Sequence, residues 1–339
     1  MFADKVYPIV KANVKPLAVP DDSSLPRAAQ HRGQPFNNTN MLPFLIANLE
    51  LMPAAIAKPK VRLGNTRVTG KEQFYTPPAL ALELTKKLAA MVPNLTERTV
   101  IEPSGGTGAF LDAARTLGMN KFLSWDIEPK HIDVASGDFL QQDLSLTGGV
   151  TLGNPPFGRN NSLSIPFFNH AADHSDFIAF IVPRSWRKWS VTNRLDRRFH
   201  LVSDTDLQID YVDETGTQLM VKRRLATCFQ IWERRPNLRP LISVADHGLI
   251  TKTSPELADV SLTIFGYGCG TIKTNFERRP NSTQMFLKLE HPQALAALQK
   301  VDFSRFYRNT AYTEALSLPE INFLLNQEIL GNPHLIEKV

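Results

Sequence analysis

Val100-Ile101-Glu102-Pro103-Ser104-Gly105-Gly106-Thr107-Gly108-Ala109-Phe110 begins as a short apolar run and ends on the first residues of an apolar-periodic segment, with three glycines between. This is the form of a strand that feeds a helix through a turn whose backbone a ligand can approach without obstruction by Cβ atoms. Downstream, Leu123-Ser124-Trp125-Asp126 reads as a second strand ending on an acid. Thr99 to Glu102, Phe122 to Asp126, Ile132 to Val134, Val150 to Gly153 and Phe177 to Val182 are short apolar or β-branched runs separated by helical or loop segments. Alternation at this spacing predicts a mostly parallel, doubly wound α/β sheet. Thr227-Cys228-Phe229-Gln230-Ile231-Trp232, after a charged turn, is expected to be an antiparallel strand closing it.

The turn from Ser104 through Gly105, Gly106 and Thr107 to Gly108 lacks the Gly-x-Gly-x-x-Gly spacing of a dinucleotide site. Glu102 precedes it, where a carboxylate would repel a pyrophosphate but attract an ammonium group. S-adenosylmethionine therefore fits the turn better than a dinucleotide. Asp126 occupies the place from which an acid accepts hydrogen bonds from ribose hydroxyls. Ile127 can cover one face of the cofactor's adenine, Asp138 is a candidate partner for that adenine's amine, and Phe139 is expected to pack beside it.

Asn154-Pro155-Pro156-Phe157-Gly158 follows the fourth expected strand. An exocyclic amine on an aromatic ring is a poor nucleophile until its two hydrogens are held and its nitrogen can pyramidalise. The side-chain carbonyl of Asn154 and the backbone carbonyl of Pro155 can each accept one hydrogen, and the prolines stiffen the backbone that aims them. Phe157 offers a face for a flipped base, with Pro156 beside it and Gly158 expected to leave it room.

These motifs, in this order, resemble the adenine amino-methyltransferases of restriction-modification and phage systems, and within them the gamma class. Gln73-Phe74-Tyr75-Thr76-Pro77 resembles that class's N-terminal cofactor motif, which implies that Tyr75 and Thr76 meet the methionine carboxylate. Phe180-Ile181-Val182-Pro183-Arg184-Ser185 is similar to the family's fifth-strand end, so the resemblance spans about Lys71 to Arg235. It implies a Rossmann-like class I methyltransferase sheet, with S-adenosylmethionine as methyl donor and adenine in DNA as substrate. One departure is that Leu219-Met220-Val221 offers no aromatic where the family carries a second base-stacking residue; Tyr211 and Phe229 are the nearest alternatives but read better as packed strand residues, which leaves that partner unassigned.

The expected organisation is an irregular, proline-rich arm with a short helix over residues 1–70, a catalytic domain over 71–236 and a smaller mixed domain over 237–339. The resemblance gives that last segment the position of a target-recognition domain. Its residues predict a strand over Ser261 to Phe265, a flexible turn over Gly266 to Gly270 and a helix over Pro292 to Lys300. Thr76 is the expected N-cap of a helix whose apolar face is Leu80, Leu82, Leu84, Leu88 and Met91.

With 339 residues, 42% of them apolar, the chain can bury a full core. No apolar run reaches the roughly 18 to 20 residues of a membrane span, and two cysteines are too few for a disulfide framework. A soluble, cytoplasmic protein is expected. His170 and His174 have helical spacing but no nearby thiolates, so no metal is expected. Net charge is +5, and Arg184, Arg187 and Lys188 head a basic cluster placed to meet phosphates beside the active face. RNA adenine methylation uses the same chemistry. Methylation of a protein glutamine amide and a catalytically silent nucleic-acid binder are further alternatives.

Overall fold

A computed structural model describes residues 74–219 and 225–338, all within one compact unit, Pro59–Val339. The arm and helix expected over residues 1–70, together with Gln73, Met220-Val221 and the basic run Lys222-Arg223-Arg224, lie outside the described residues.

Seven strands form the main sheet: β1 (Val100–Glu102), β2 (Phe122–Asp126), β3 (Ala135–Ser136), β4 (Gly149–Gly153), β5 (Ser175–Pro183), β6 (Phe199–Leu207) and β7 (Thr227–Arg234). Their order is β3-β2-β1-β4-β5-β7-β6. Every neighbouring pair from β3 to β5 is parallel, and β7 runs antiparallel to both β5 and β6. The parallel sheet and its antiparallel closing strand agree with the sequence reading. Two details differ. The third strand pairs through Ala135 and Ser136 rather than Ile132 to Val134, and Ile132 is 95% exposed, so its apolar side chain misplaced the strand. The strand β6 was not anticipated, because its sequence is rich in polar residues and a register shift between Leu201 and Ser203 interrupts it.

Central strands buried on both faces read as unbroken apolar runs, since neither alternation point is polar. In β5, Phe177, Ala179 and Ile181 pack with the helices α1 (Pro78–Ala89) and α2 (Ala109–Thr116), while Ile178, Phe180 and Val182 pack with α3 (Ser164–Ala171). Phe168 of α3 gathers Trp186, Phe199 and Trp232 around it at ring separations of 5.5–5.6 Å. In α1, Leu84 and Leu88 are buried as expected, but Pro77 takes the N-cap position and Pro78 the first turn. Thr76 is thereby displaced from its expected capping role, and its hydroxyl makes no cap bond.

The C-terminal segment has its own apolar core beneath a four-stranded antiparallel sheet of Ile250–Lys252, Val260–Thr263, Ile272–Lys273 and Gln284–Leu289. The expected strand and the expected helix are present as Val260–Thr263 and Ala294–Lys300. A longer helix, Leu318–Leu330, starts with a capping box in which Ser317 and Glu320 satisfy each other's backbone N–H groups and stops at Gly331. No helix among the described residues is long and apolar enough to cross a membrane.

Polar bonds join this segment to the main sheet. Lys188 Nζ lies 2.8 and 3.0 Å from the two carboxylate oxygens of Glu320, a residue only 2% exposed. Ala226 N donates to Ala311 O at 2.8 Å, and Asn193 exchanges two bonds with the backbone of Ile242 at 2.8 and 3.0 Å. A buried carboxylate that loses its cation keeps its desolvation cost without the compensating attraction. Lys188→Met should therefore lower unfolding free energy by about 3 kcal/mol in chemical denaturation, and adding Glu320→Gln to it should recover part of that loss.

Candidate active site

Strand order reverses between β1 and β4, which leaves a crevice beyond their carboxyl ends. The glycine turn leaves β1 into this crevice and is tied to β2. Gly105 N donates to Trp125 O at 2.8 Å, and Gly106 N donates to Asp126 Oδ2 at 2.9 Å. Asp126 Oδ1 accepts from Glu128 N at 2.8 Å, so the acid is fixed in place while each oxygen keeps a lone pair for a ligand. Burial pushes the Asp126 carboxyl upward, opposed by the Gly106 N–H and by Lys130.

Gly106 has φ +48°, and a Cβ there would lie 2.7 Å from Cε1 of Tyr75, so only glycine lets the Tyr75 ring close over the turn. Tyr75 is itself held by paired backbone bonds with Val212, at 3.3 and 3.1 Å. Glu102 ends β1 at 3% exposure, with a 3.4 Å contact from Ser124 Oγ. Desolvation raises its carboxyl well above the ordinary range, only partly offset by that contact.

One small cavity brings together Tyr75, Thr76, Glu102, the turn from Ser104 to Thr107, and Asn154. The glycine turn and the Asn-Pro-Pro-Phe segment thus share one crevice, and Ser104 Oγ donates to the backbone carbonyl of Asn154 at 3.0 Å. The Asn154 amide is oriented by its nitrogen, as Nδ2 donates to Phe74 O at 3.2 Å. Its Oδ1 is buried and has no hydrogen-bond partner. Five buried side-chain polar atoms among the described residues are unpaired in this way, and three of them, on Thr76, Asn154 and Tyr211, belong to this neighbourhood. Unpaired buried polar atoms are rare in folded proteins because each forfeits its hydration, so their concentration here makes this crevice the candidate site. A larger, open depression of about 650 Å³ near Lys121 and Leu146 contains none of these groups.

Phe157 is half-buried against the core, and its carbonyl accepts from Leu163 N and Ser164 N, both at 3.3 Å. Gly158, expected to leave room for a substrate, also has an internal requirement. With φ +65°, a Cβ there would lie 2.5 Å from Ser162 Oγ and 2.8 Å from Leu163 N. Two consecutive asparagines with positive φ, Asn160 and Asn161, complete the loop, and Asn161 Nδ2 donates to Ser185 Oγ at 3.1 Å, tying it to the end of β5.

Ile127 is 64% exposed beside Asp126, as a residue covering a ligand face must be. Asp138 caps a short 3₁₀ turn, its Oδ1 accepting from Leu140 N at 3.0 Å. Phe139, expected to pack beside the cofactor's adenine, is 1% exposed and packs inward against Trp125, Phe167 and His170. The basic cluster is matched internally. Arg184 pairs with Asp206 at 2.9 Å, Arg187 with Asp204 and Asp206 at 2.6 and 2.7 Å, and Lys188 with Glu320. The acids that neutralise the two arginines sit on β6, the strand that the sequence pattern did not disclose. Phe229 is fully buried in the core, and Tyr211 is 2% exposed with its ring 5.6 Å from Phe74. Phe74 lies within the motif read from the sequence, but its backbone carbonyl's bond to Asn154 carries no local sequence signal. Among the described residues no group of three or more His, Cys, Asp or Glu is placed to hold a metal.

Neither protein-family models nor curated proteins give a match to this chain. Similar solved structures include a putative RNA methyltransferase of Pyrococcus horikoshii, at 19% identity and TM-score 0.40, covering 52% of this chain and 92% of that one. A putative class I S-adenosylmethionine-dependent methyltransferase of Listeria monocytogenes matches at 14% identity and TM-score 0.36, over 49% and 62% of the two chains. A modification subunit of a putative type I restriction enzyme from Vibrio vulnificus matches at 15% identity and TM-score 0.35, over 53% and 49%. The sheet has the Rossmann-like fold of class I methyltransferases. That assignment rests on the strand order and the antiparallel β7 described above.

An acid whose pKa is raised by folding binds more protons in the folded than in the unfolded state between the two pKa values, so its burial costs stability as pH rises through that window. Glu102→Gln should accordingly raise the melting temperature of the ligand-free protein at pH 8. The gain should shrink as pH falls through the raised pKa of Glu102 and vanish below its ordinary value of 4.5. Thermal melts of both proteins across this range give the measurement.

Proposed function

We propose that the chain methylates the exocyclic amine of adenine in DNA, taking the base out of the duplex into the Asn154-Pro155-Pro156-Phe157 crevice. The observation that carries this reading is the Asn154 carboxamide: its nitrogen is tied to Phe74 O, and its oxygen is buried without a partner beside the glycine turn. An acceptor held in this state suits a donor N–H that arrives with a substrate.

S-adenosylmethionine, when bound, supplies a sulfonium methyl group. The crevice fits it, since Gly106 keeps the turn free of a Cβ, Glu102 and Asp126 offer carboxylates, and Ile127 offers exposed apolar surface. In this reading Glu102 faces the ammonium, Asp126 the ribose hydroxyls, and Tyr75 and Thr76 the carboxylate, for which the unpaired Thr76 hydroxyl is a ready donor. Ser104, Gly105, Thr107 and Gly108 shape the turn, and Asp138 remains the candidate for the adenine amine of the cofactor.

Asn154 Oδ1 and Pro155 O take one amine hydrogen each. Drawing both hydrogens toward these oxygens withdraws the nitrogen lone pair from the ring and directs it out of plane. Phe157 supports the base ring, and the ties from its carbonyl to Leu163 and Ser164 hold it in place. No strong base is required, because the amine becomes acidic only as its new bond forms. The C-terminal residues 237–339 are proposed to read the target duplex, joined to the catalytic sheet through Lys188, Asn193 and Ala226.

Purified protein incubated with radiolabelled cofactor and either duplex DNA or RNA tests the assignment. Label in DNA is expected; label confined to RNA would move the substrate class, and binding without label would remove the activity. Asn154→Ala should reduce transfer at least about 100-fold while cofactor affinity stays within about two-fold, as befits an interaction made with the reacting amine. An unchanged rate would refute its role.

A further inference from the structure

A carboxamide offers an acceptor on one side and a donor on the other, and a half-turn of its end group exchanges them with little change of shape. Only one of the two orientations lets Asn154 accept a hydrogen from an amine. In that orientation Nδ2 donates to Phe74 O at 3.2 Å, while Oδ1 is buried without a partner. Phe74 O is a peptide carbonyl and can only accept. The half-turn would therefore set two oxygens against each other and aim the NH2 group, a donor, at the place where a donor arrives.

The carbonyl that makes this choice lies 80 residues earlier in the chain, and its direction is fixed by its own surroundings. Phe74 O and Tyr75 N belong to one planar peptide unit. On one side Tyr75 N donates to Val212 O at 3.3 Å, which aims the carbonyl on the other side at Asn154. The return bond from Val212 N to Tyr75 O, at 3.1 Å, holds the pairing. The Phe74 ring packs on Tyr211 at 5.6 Å and against the core beneath α1 and α2, and the Tyr75 ring closes over Gly106. We propose that Phe74 is a positioning residue: its braced carbonyl selects the orientation of the Asn154 carboxamide that turns Oδ1 toward the target amine. The inference rests on the assignment of Asn154 to that amine. Tyr75 and Thr76 follow directly in the chain, so one tripeptide carries both the orientation of the acceptor and residues assigned to the cofactor's carboxylate.

Asn154→Asp tests it by replacing the NH2 group with oxygen in the same shape. Ionised, the new carboxyl has no hydrogen for Phe74 O; protonated, its O–H donates there and its carbonyl oxygen still faces the substrate. Burial and the facing carbonyl both favour the neutral form. Methyl transfer relative to wild type at the same pH should be highest at low pH and fall about 10-fold per pH unit once the carboxyl ionises, as its protonated fraction falls. A ratio that stays level or rises with pH would overturn the proposal. Phe74→Gly removes the ring and frees the backbone that carries the carbonyl. At saturating cofactor and nucleic acid its kcat per folded molecule should fall about 10-fold, and Phe74→Leu, which refills the space, should return to within about three-fold of wild type. A merely structural phenylalanine would lower the melting temperature and leave kcat per folded molecule intact, which would overturn the positioning role even if Asn154→Asp were inactive at every pH. If Asn154→Ala keeps full activity, the amine assignment fails and this inference with it. If Asn154→Ala is inactive and Phe74→Gly is fully active, only the positioning role fails.

Discussion

The parallel pairing of β1 with β4, which sets Val100 opposite Val150 and Ile101 opposite Thr151, is the constraint on which the site depends. These strands are distant in sequence and are the two between which the sheet reverses direction of growth. Their register brings the end of one, Glu102, and the end of the other, Gly153, to the same crevice, where Pro103 and Gly153 pack side by side. The Ser104 to Asn154 hydrogen bond then ties the turn after β1 to the turn after β4. A slip of one residue would turn every side chain of the strand to the opposite face and exchange the side chains that fill the two core layers, so close packing on both faces holds the register of the site.

Electrostatics divides the molecule into two regimes. At the seam with the C-terminal segment and along β6, arginines and lysines meet acids at 2.6–2.9 Å, and local charge is close to balanced. In the crevice the opposite holds: Glu102 and Asp126 are both held above their ordinary pKa by burial, and the polar atoms of Thr76, Asn154 and Tyr211 lack partners. Three of the five unpaired buried polar atoms among the described residues gather here, where a polar ligand can relieve them; the other two are guanidinium nitrogens of Arg184 and Arg197.

Much of this was legible in the chain because it is local. Strand, glycine turn and helix are consecutive at Val100 to Phe110, and the buried central strands β4 and β5 announce themselves as unbroken apolar runs. The errors are equally physical. Ile132 looked like a strand residue but is exposed, and Thr76 looked like a cap but yields that position to Pro77. Gly158 is required by the turn's own backbone, a need the sequence did not show. The strand β6 was hidden because it lies at the sheet's edge, where polar side chains are tolerated, and with it went the acids that neutralise Arg184 and Arg187.

The sequence by itself determined which chemistry-bearing groups exist and which secondary elements carry them, since strand period, glycine freedom and proline stiffness act over a few residues. Tertiary structure alone decided which of those groups are left unpaired. Whether Asn154 Oδ1 is free, whether its nitrogen is held by Phe74 O and whether Lys188 is matched by Glu320 depend on contacts between segments far apart in the chain. Burial and pairing are properties of those contacts, and no local pattern of residues encodes them.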